Sequence, residues 1–420
     1  MRGVITAHDI PFDAESTTFR SSEGRYTFTA MDGTIDFIAD RLRRERHDLY
    51  GELEVRCEMK GVRTYDGTLN VGSLNFSSPA ARRDRARLLA ERAKTQTIDW
   101  LGYIEEFCQR VLTADRAGEP AILLPHVVVP GAEAHVEYDI LGLRLPRLHP
   151  AVLFGDGGTC KSLIALYAAG ELTRRGERVG LFDGELDELA QRRRLGQLFS
   201  GALPEVRYVR IDRALVHDVD RCRRIVRHEG LTYAIFDSVA FMTNGAPESA
   251  EATGEYFRAS RQIGIGSLHV AHVTKGEHND QKPFGSVFWH NGARSTWFAK
   301  LAGASPDPSC LTVGLFHRKA NLGPLRPAVG LDIRFTETST TIRRVNVEDV
   351  DDLAVSLQLW QRMRHTLKRG PMTIAALADE LSARPDSITK AAKRKTDLFT
   401  KVTNYPDGIH RLALVERRAS

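Results

Sequence analysis

Apolar and polar residues alternate with period two in three early segments, 26–30, 51–58 and 68–76, and the turn pairs Asp32-Gly33 and Asp66-Gly67 punctuate them. That pattern predicts strands. The period then becomes helical over 79–94 and 99–113. Ser78 stands at the N-cap with Pro79 at the first helical position, and Trp100, Tyr103, Ile104, Phe107 and Val111 recur at i, i+3, i+4 spacing. A connector bearing Gly and Pro, 117–130, leads out.

From about 146 to 346, short apolar runs at 151–155, 179–183, 208–211, 233–237, 267–273 and 311–317 alternate with helical patterns such as 161–175, 190–199 and 250–263. Strand–helix alternation predicts an α/β domain with a mainly parallel sheet covered on both faces. A hairpin, 329–336 and 340–345, closes the zone through Glu337-Thr338-Ser339, and the acidic stretch 348–352 reads as a linker. Helical patterns at 358–369, 373–381 and 386–395 follow. Then come a strand at 399–402, the turn Tyr405-Pro406-Asp407-Gly408 and a strand at 409–415. Three helices and a strand pair are the order of a winged helix-turn-helix. The expected domains are an α+β unit over 1–145 (assembly or partner docking), the α/β core over 146–346 and a winged helix over 353–420.

Composition excludes several classes. At 420 residues the chain exceeds one ordinary core. With 42% hydrophobic and 27% charged residues it reads as globular, and no apolar run suffices to span a bilayer. The opening MRGVITAHDIPFD lacks an apolar signal core. Five scattered cysteines with no C-x-x-C pair argue against a disulfide framework and a cysteine zinc site, and a reducing cytoplasm is the expected location. The net charge of +5 is small, but residues 353–420 hold 13 Lys/Arg against 6 Asp/Glu, so the basic excess is concentrated there.

The strongest chemical signal is Gly155-Asp156-Gly157-Gly158-Thr159-Cys160-Lys161-Ser162, set between an apolar strand and an amphipathic helix. That is the context of a Walker A loop. Glycines let backbone N–H groups converge on phosphate, and the helix macrodipole adds to the field. Lys161 is expected to reach the β- and γ-phosphates of ATP, and the Ser162 hydroxyl to ligate Mg2+. Cys160 stands where the pattern wants glycine, so a side chain crowds the phosphates or strains the turn. A ligand-free Gly-rich turn is the competing reading.

Tyr233-Ala234-Ile235-Phe236-Asp237 is an apolar strand ending in the carboxylate a Walker B element needs to hold the metal's water shell. Glu185 follows the strand 179–183 and is the candidate base for the attacking water, ranked above Asp183 and Asp187. In His269-Val270-Ala271-His272, strand alternation puts the two histidines on opposite faces. His272 lies nearer the carboxyl end, where open α/β sheets bind ligands, and is the candidate γ-phosphate sensor. A satisfied core histidine is the alternative.

Taken in order, GDGGTCKSLIALYAA, LFDGELDELAQRRRL, YAIFDSVA, HVAHVTK and FGSVFWHNGARSTW resemble the RecA-like ATPases of the RepA-like hexameric helicase group, over about half the chain. The resemblance implies a six-membered ring with ATP between subunits. It assigns Lys161 and Ser162 to the Walker A pair, Glu185 to the catalytic glutamate, Asp237 to Walker B and His272 to the third helicase motif. Arg294 matches an arginine that reaches the neighbouring subunit's nucleotide, with a solvated helix arginine as the alternative. Related rings carry a lysine and an arginine two apart, acting in trans. Lys319 fits the first, Asn321 replaces the second, and Arg318 is the substitute.

Nucleic acid has two candidate sites. The segment 274–291 carries Lys275, Lys282 and Phe284, suited to phosphate neutralisation and base stacking on single-stranded DNA in a ring channel. Residues 386–395 (DSITKAAKRK) present Lys390, Lys393, Arg394 and Lys395 behind an N-cap Asp386, as a short basic helix suited to duplex DNA. The expected function is an ATP-dependent, DNA-interacting ring motor, a hexameric DNA helicase or helicase-like ATPase. The alternative is a nucleotide-switched DNA-binding or loading protein with weak turnover.

Overall fold

The computed structural model describes residues 17–22, 24–94, 98–118, 121–128, 136–272, 287–303, 307–403 and 408–415. The chain divides into two compact units, Met1–Val129 and Pro130–Ser420. No helix among the described residues is long and apolar enough to cross a membrane.

In the first unit, β1 (Thr18–Ser22), β2 (Arg25–Ala30), β3 (Ile35–Glu45), β4 (Asp48–Cys57) and β5 (Thr68–Asn75) pair in sequence order as one sheet, antiparallel throughout. Alternate side chains point to one face, which α1 (Pro79–Ala93) and α2 (Trp100–Ala117) cover. Phe28, Phe37 and Phe76 meet Tyr103 and Phe107 of α2 in that core, with ring centroids 5.8 to 6.5 Å apart. Ser78 caps α1 by accepting from the Ala81 N–H, and Asp99 caps α2 by accepting from the Gly102 N–H.

The second unit opens with a hairpin, β6 (Glu137–Ile140) and β7 (Leu143–Pro146). Then follow β8 (Pro150–Gly155), α3 (Lys161–Arg174), β9 (Val179–Asp183), α4 (Glu188–Leu198), β10 (Arg207–Arg210), α5 (Leu215–Glu229) and β11 (Tyr233–Asp237). Next are α6 (Ala250–Ile263), β12 (Gly266–His272), α7 (Val287–Gly292), β13 (Ser295–Leu301), β14 (Cys310–Ala320), β15 (Val329–Phe335) and β16 (Thr340–Val345). Nine strands form one sheet in the order β10-β9-β11-β12-β8-β13-β14-β15-β16. Pairing is parallel from β10 to β13 and antiparallel from β13 to β16. The core is thus the mainly parallel α/β sheet expected.

Every residue of β8, β9 and β11 is buried, as a sheet covered on both faces requires. Ala151 and Leu153 face the layer holding α3 and part of α4, while Val152 and Phe154 face the layer of α5 and α6. The sequence pattern missed β13 because Ser295-Thr296-Trp297 opens with two hydroxyls. Both are buried, Ser295 Oγ pairing with His317 and Thr296 Oγ1 with His290.

Beyond the sheet lie α8 (Asp351–Ala354), α9 (Leu359–Leu367), α10 (Ile374–Glu380), α11 (Pro385–Arg394) and the antiparallel pair β17 (Phe399–Val402) and β18 (Arg411–Leu414). Residues 404–407, most of the expected turn, fall outside the described residues. The acidic stretch is not a bare linker. Glu348 accepts from Lys368, Asp352 accepts from the Gly303 N–H at 2.9 Å, and Lys300 donates to Ser356 Oγ at 2.8 Å. Asp386 lies in the first turn of α11, which begins at Pro385 behind Arg384, and is not the N-cap expected.

Candidate nucleotide site

Strand register brings the expected groups to one edge of the sheet. His272 ends β12 opposite Gly155 of β8, and Asp237 ends β11 opposite Asp183 of β9. Strand β12 lies between β8 and β11, so the histidine stands between the loop and the Asp237 carboxylate. These are carboxyl ends of parallel strands, the edge where such sheets bind ligands. Here a cleft of about 340 Å3 is lined by Gly158, Thr159, Cys160, Lys161, Ser162, Glu185, Arg194 and His272, with Phe335 and Thr340 from the β15–β16 hairpin.

The loop geometry follows from its residues. A Cβ on Gly155 would lie 2.2 Å from the Ala299 carbonyl oxygen, so only glycine admits β13 this close. Gly158 adopts φ +78°. Cys160 adopts φ 54°, ψ 23°, the left-handed region where a Cβ is strained, at the position where the pattern wants glycine. Its thiol lies 3.8 Å from the Gly158 carbonyl oxygen, and burial raises its pKa, so it stays protonated.

Lys161 is 5% exposed and donates from Nζ to the Asp156 carbonyl at 2.6 Å and to Thr159 Oγ1 at 3.2 Å. Burial lowers its pKa to about 8, against the opposing pull of Asp237, Asp156 and Glu185. Ser162 Oγ donates to Asp237 Oδ1 at 3.0 Å. Burial raises the Asp237 carboxyl to about 7, countered by that hydrogen bond and by Arg194. A buried carboxylate joined to the first-turn serine is the donor set that holds Mg2+ with a nucleotide. Among the described residues no cluster of three or more His, Cys, Asp or Glu forms a metal site by itself. Phosphate oxygens and water would therefore complete the shell.

Asp183 is fully buried and accepts from the Glu185 and Leu186 N–H groups at 2.7 and 2.9 Å and from Gln191 Nε2 at 2.5 Å. It shapes the turn that presents the exposed Glu185 to the cleft. Asp187 caps α4 by accepting from the Ala190 N–H. His269 is buried in the core, stacked 4.9 Å from Phe236 and bonded to Tyr256 and Ser267, and burial lowers its pKa to about 3. His272 lines the cleft, its pKa lowered by burial and then by the Lys161 charge, with Glu185 opposing.

Other candidates lie elsewhere. Arg294 is not on a helix. It immediately precedes β13, its N–H donating to the Pro150 carbonyl, at the opposite edge of the sheet and about 16 Å from the loop along β8. Lys319 Nζ donates to the carbonyls of His290, Asn291 and Ala293, closing the end of α7. The Arg318 guanidinium packs 5.5 and 5.2 Å from the Phe298 and Phe316 rings, its Nε and Nη2 buried. Own-chain contacts engage both Arg318 and Lys319. Lys275, Lys282 and Phe284 fall outside the described residues. Lys390, Lys393, Arg394 and Lys395 lie on or just beyond α11.

Sequence reasoning missed Arg194, one turn into α4 beyond the expected base, because RRR at 192–194 reads as a solvated helix face. It also missed the hairpin residues Phe335 and Thr340, which tertiary folding alone brings to the cleft.

No protein-family model matches the chain, and no curated protein matches it. Among solved structures it is similar to a KaiC-like protein of Pyrococcus horikoshii OT3, with 14% identity, TM-score 0.37, 47% of this chain and 90% of that one covered. It is also similar to an ATPase domain solved on its own, at 12% identity and TM-score 0.37, covering 45% of this chain and 82% of that one. A third is a DnaB-like replicative helicase solved with its primase interactions, at 13% identity and TM-score 0.38, covering 46% of this chain and 58% of that one.

Proposed function

We propose that this chain binds and hydrolyses Mg·ATP and uses it as a DNA-interacting ring motor of RecA-like build, a helicase or helicase-like ATPase, within the RepA-like group that its ordered motifs resemble. One observation carries the reading: Lys161, Ser162, Asp237, Glu185 and His272 come from four separate strand ends yet line or adjoin one cleft.

In this reading the loop amides of Gly157, Gly158, Thr159 and Cys160 cradle the phosphates. Lys161 exchanges its Asp156 carbonyl for the β- and γ-phosphates. Ser162 ligates Mg2+, and Asp237 orients the ion's water shell. Bound Mg2+ supplies charge neutralisation at the phosphates. Glu185 accepts the proton of the attacking water, and His272 donates a hydrogen bond to the γ-phosphate. Arg194 adds a cation from the chain's own α4, while Arg294, at the far sheet edge, serves a neighbouring subunit's site in a hexamer. The C-terminal segment 353–420 acts as a winged helix on DNA, the loop 274–291 meets single-stranded DNA, and the unit over 1–145 serves assembly.

The test is DNA-stimulated ATP hydrolysis and strand separation by the full chain, with Lys161→Ala as control. Turnover abolished in Lys161→Ala supports the motor. Absence of nucleotide binding in the wild type refutes it. A second reading, a nucleotide switch with weak turnover, is favoured by the left-handed Cys160 and by the grip of the loop's own carbonyl on Lys161. Tight binding without turnover, restored by Cys160→Gly, selects the switch.

A further inference from the structure

Between the start of α9 and one side of α11 lies a groove of about 460 Å3, within the size range of small-ligand sites. On α11, Ser387, Lys390, Ala391 and Arg394 fall at i, i+3, i+4 and i+7, so they form one stripe along the helix. The facing wall is Trp360, whose indole Nε1 donates to Gln358 Oε1 at 2.7 Å and so has a fixed ring plane. Lys395 closes the end, its Nζ 5.1 Å from the centre of that ring. Every charged side chain lining the groove is basic.

Lys393 lies apart from this stripe and lines a separate apolar hollow with Ile374, Ile388 and Phe399. The basic residues of α11 therefore do not act as one uniform phosphate-binding face. An oriented aromatic ring flanked by three cations is the chemistry that binds an unstacked base and its neighbouring phosphates. Because Trp360 is recessed and only partly exposed, a base still paired inside a duplex does not reach it.

We infer that this groove binds single-stranded DNA. One base stacks on Trp360 in place of the Lys395 ammonium, and Lys390 and Arg394 hold the adjoining phosphates. The inference deepens the proposed DNA interaction and rests on it, since it names which form of DNA the C-terminal segment holds and where.

The protein carries its own reporter. Of its four tryptophans, Trp100, Trp289 and Trp297 are 2%, 0% and 0% exposed, which leaves Trp360 as the accessible one. Titration of the full chain with oligothymidylate is expected to quench tryptophan fluorescence, and titration with a blunt duplex is not. Lys390→Ala with Arg394→Ala, both on exposed side chains, is expected to weaken oligothymidylate binding at least about tenfold. It should also lower the slope of log affinity against log salt by about 0.7 per cation removed. Trp360→Phe retains a stacking face and most of the affinity, whereas Trp360→Ala loses about 5- to 150-fold, the range for base–aromatic stacking.

Oligothymidylate binding that leaves the fluorescence unchanged overturns the inference. So does quenching that survives the double substitution, or equal quenching by the duplex. Fluorescent-ATP binding on the same preparations keeps the two readings separate. Lost nucleotide binding with intact quenching counts against the motor and leaves the groove standing, and the reverse result counts against the groove alone.

Discussion

Replacing Cys160 with glycine tests the phosphate loop at its least ordinary residue. With φ 54° and ψ 23° the residue sits in the left-handed region, where a Cβ costs roughly 1–2 kcal/mol. Glycine avoids that cost but loses roughly 0.5–1 kcal/mol more backbone entropy on folding. The difference leaves Cys160→Gly more stable by about 0.5–1 kcal/mol, a rise in melting temperature of about 1–4 °C. Cys160→Ala separates strain from bulk, because it keeps the Cβ while removing the thiol that faces the cleft. Thermal melts should therefore rank Gly above Cys and Ala. In fluorescent-ATP titrations, both variants should bind at least as tightly as the wild type if the thiol alone obstructs, and Gly more tightly than Ala if the strained backbone also matters. Equal melting temperatures for Gly and Ala would refute the backbone argument, and weaker nucleotide binding by Cys160→Gly would refute the placement of phosphate in this loop.

Three further outcomes follow from the same cleft. Affinity for Mg·ATP should peak between about pH 7 and 8. Below that window Asp237, raised by burial to about 7, takes up a proton and can no longer serve the metal, and above it Lys161, lowered by burial to about 8, loses its charge. A flat titration from about pH 6 to 9 contradicts this. Because the Arg194 charge lowers the Asp237 pKa, Arg194→Ala should weaken triphosphate binding and move the acid limb of that profile to higher pH; an unmoved limb removes Arg194 from the site. Asp183→Ala strips the acceptor from the Glu185 and Leu186 N–H groups and from Gln191. At roughly 1–3 kcal/mol per orphaned buried donor it should lose about 2–5 kcal/mol in denaturant melts and most turnover, with Asp183→Asn milder on both.

Much of this protein was legible in order along the chain. The phosphate loop, the strand ending in Asp237 and the turn after Asp183 are local patterns, because glycine freedom, apolar runs and strand ends are properties of a few adjacent residues. The ranking of His272 over His269 also came from local position, since the nearer residue to a strand's carboxyl end stands nearer the ligand edge. The helix caps at Ser78 and Asp99 are of the same local kind.

Tertiary structure alone decided which distant residues share a surface. Strand order put β12 between β8 and β11, and only that order sets the Gly155, His272, Asp237 and Asp183 ends along one edge. Residues 335 and 340 reach the nucleotide cleft because a hairpin more than 170 residues beyond the loop folds back over it. Folding likewise committed Lys319 to carbonyls of its own chain and sank Arg318 between two rings, although both read as outward cations. Local periodicity reports what a residue's neighbours in sequence allow, whereas burial, partners and charge shifts depend on groups brought close only when the sheet closes.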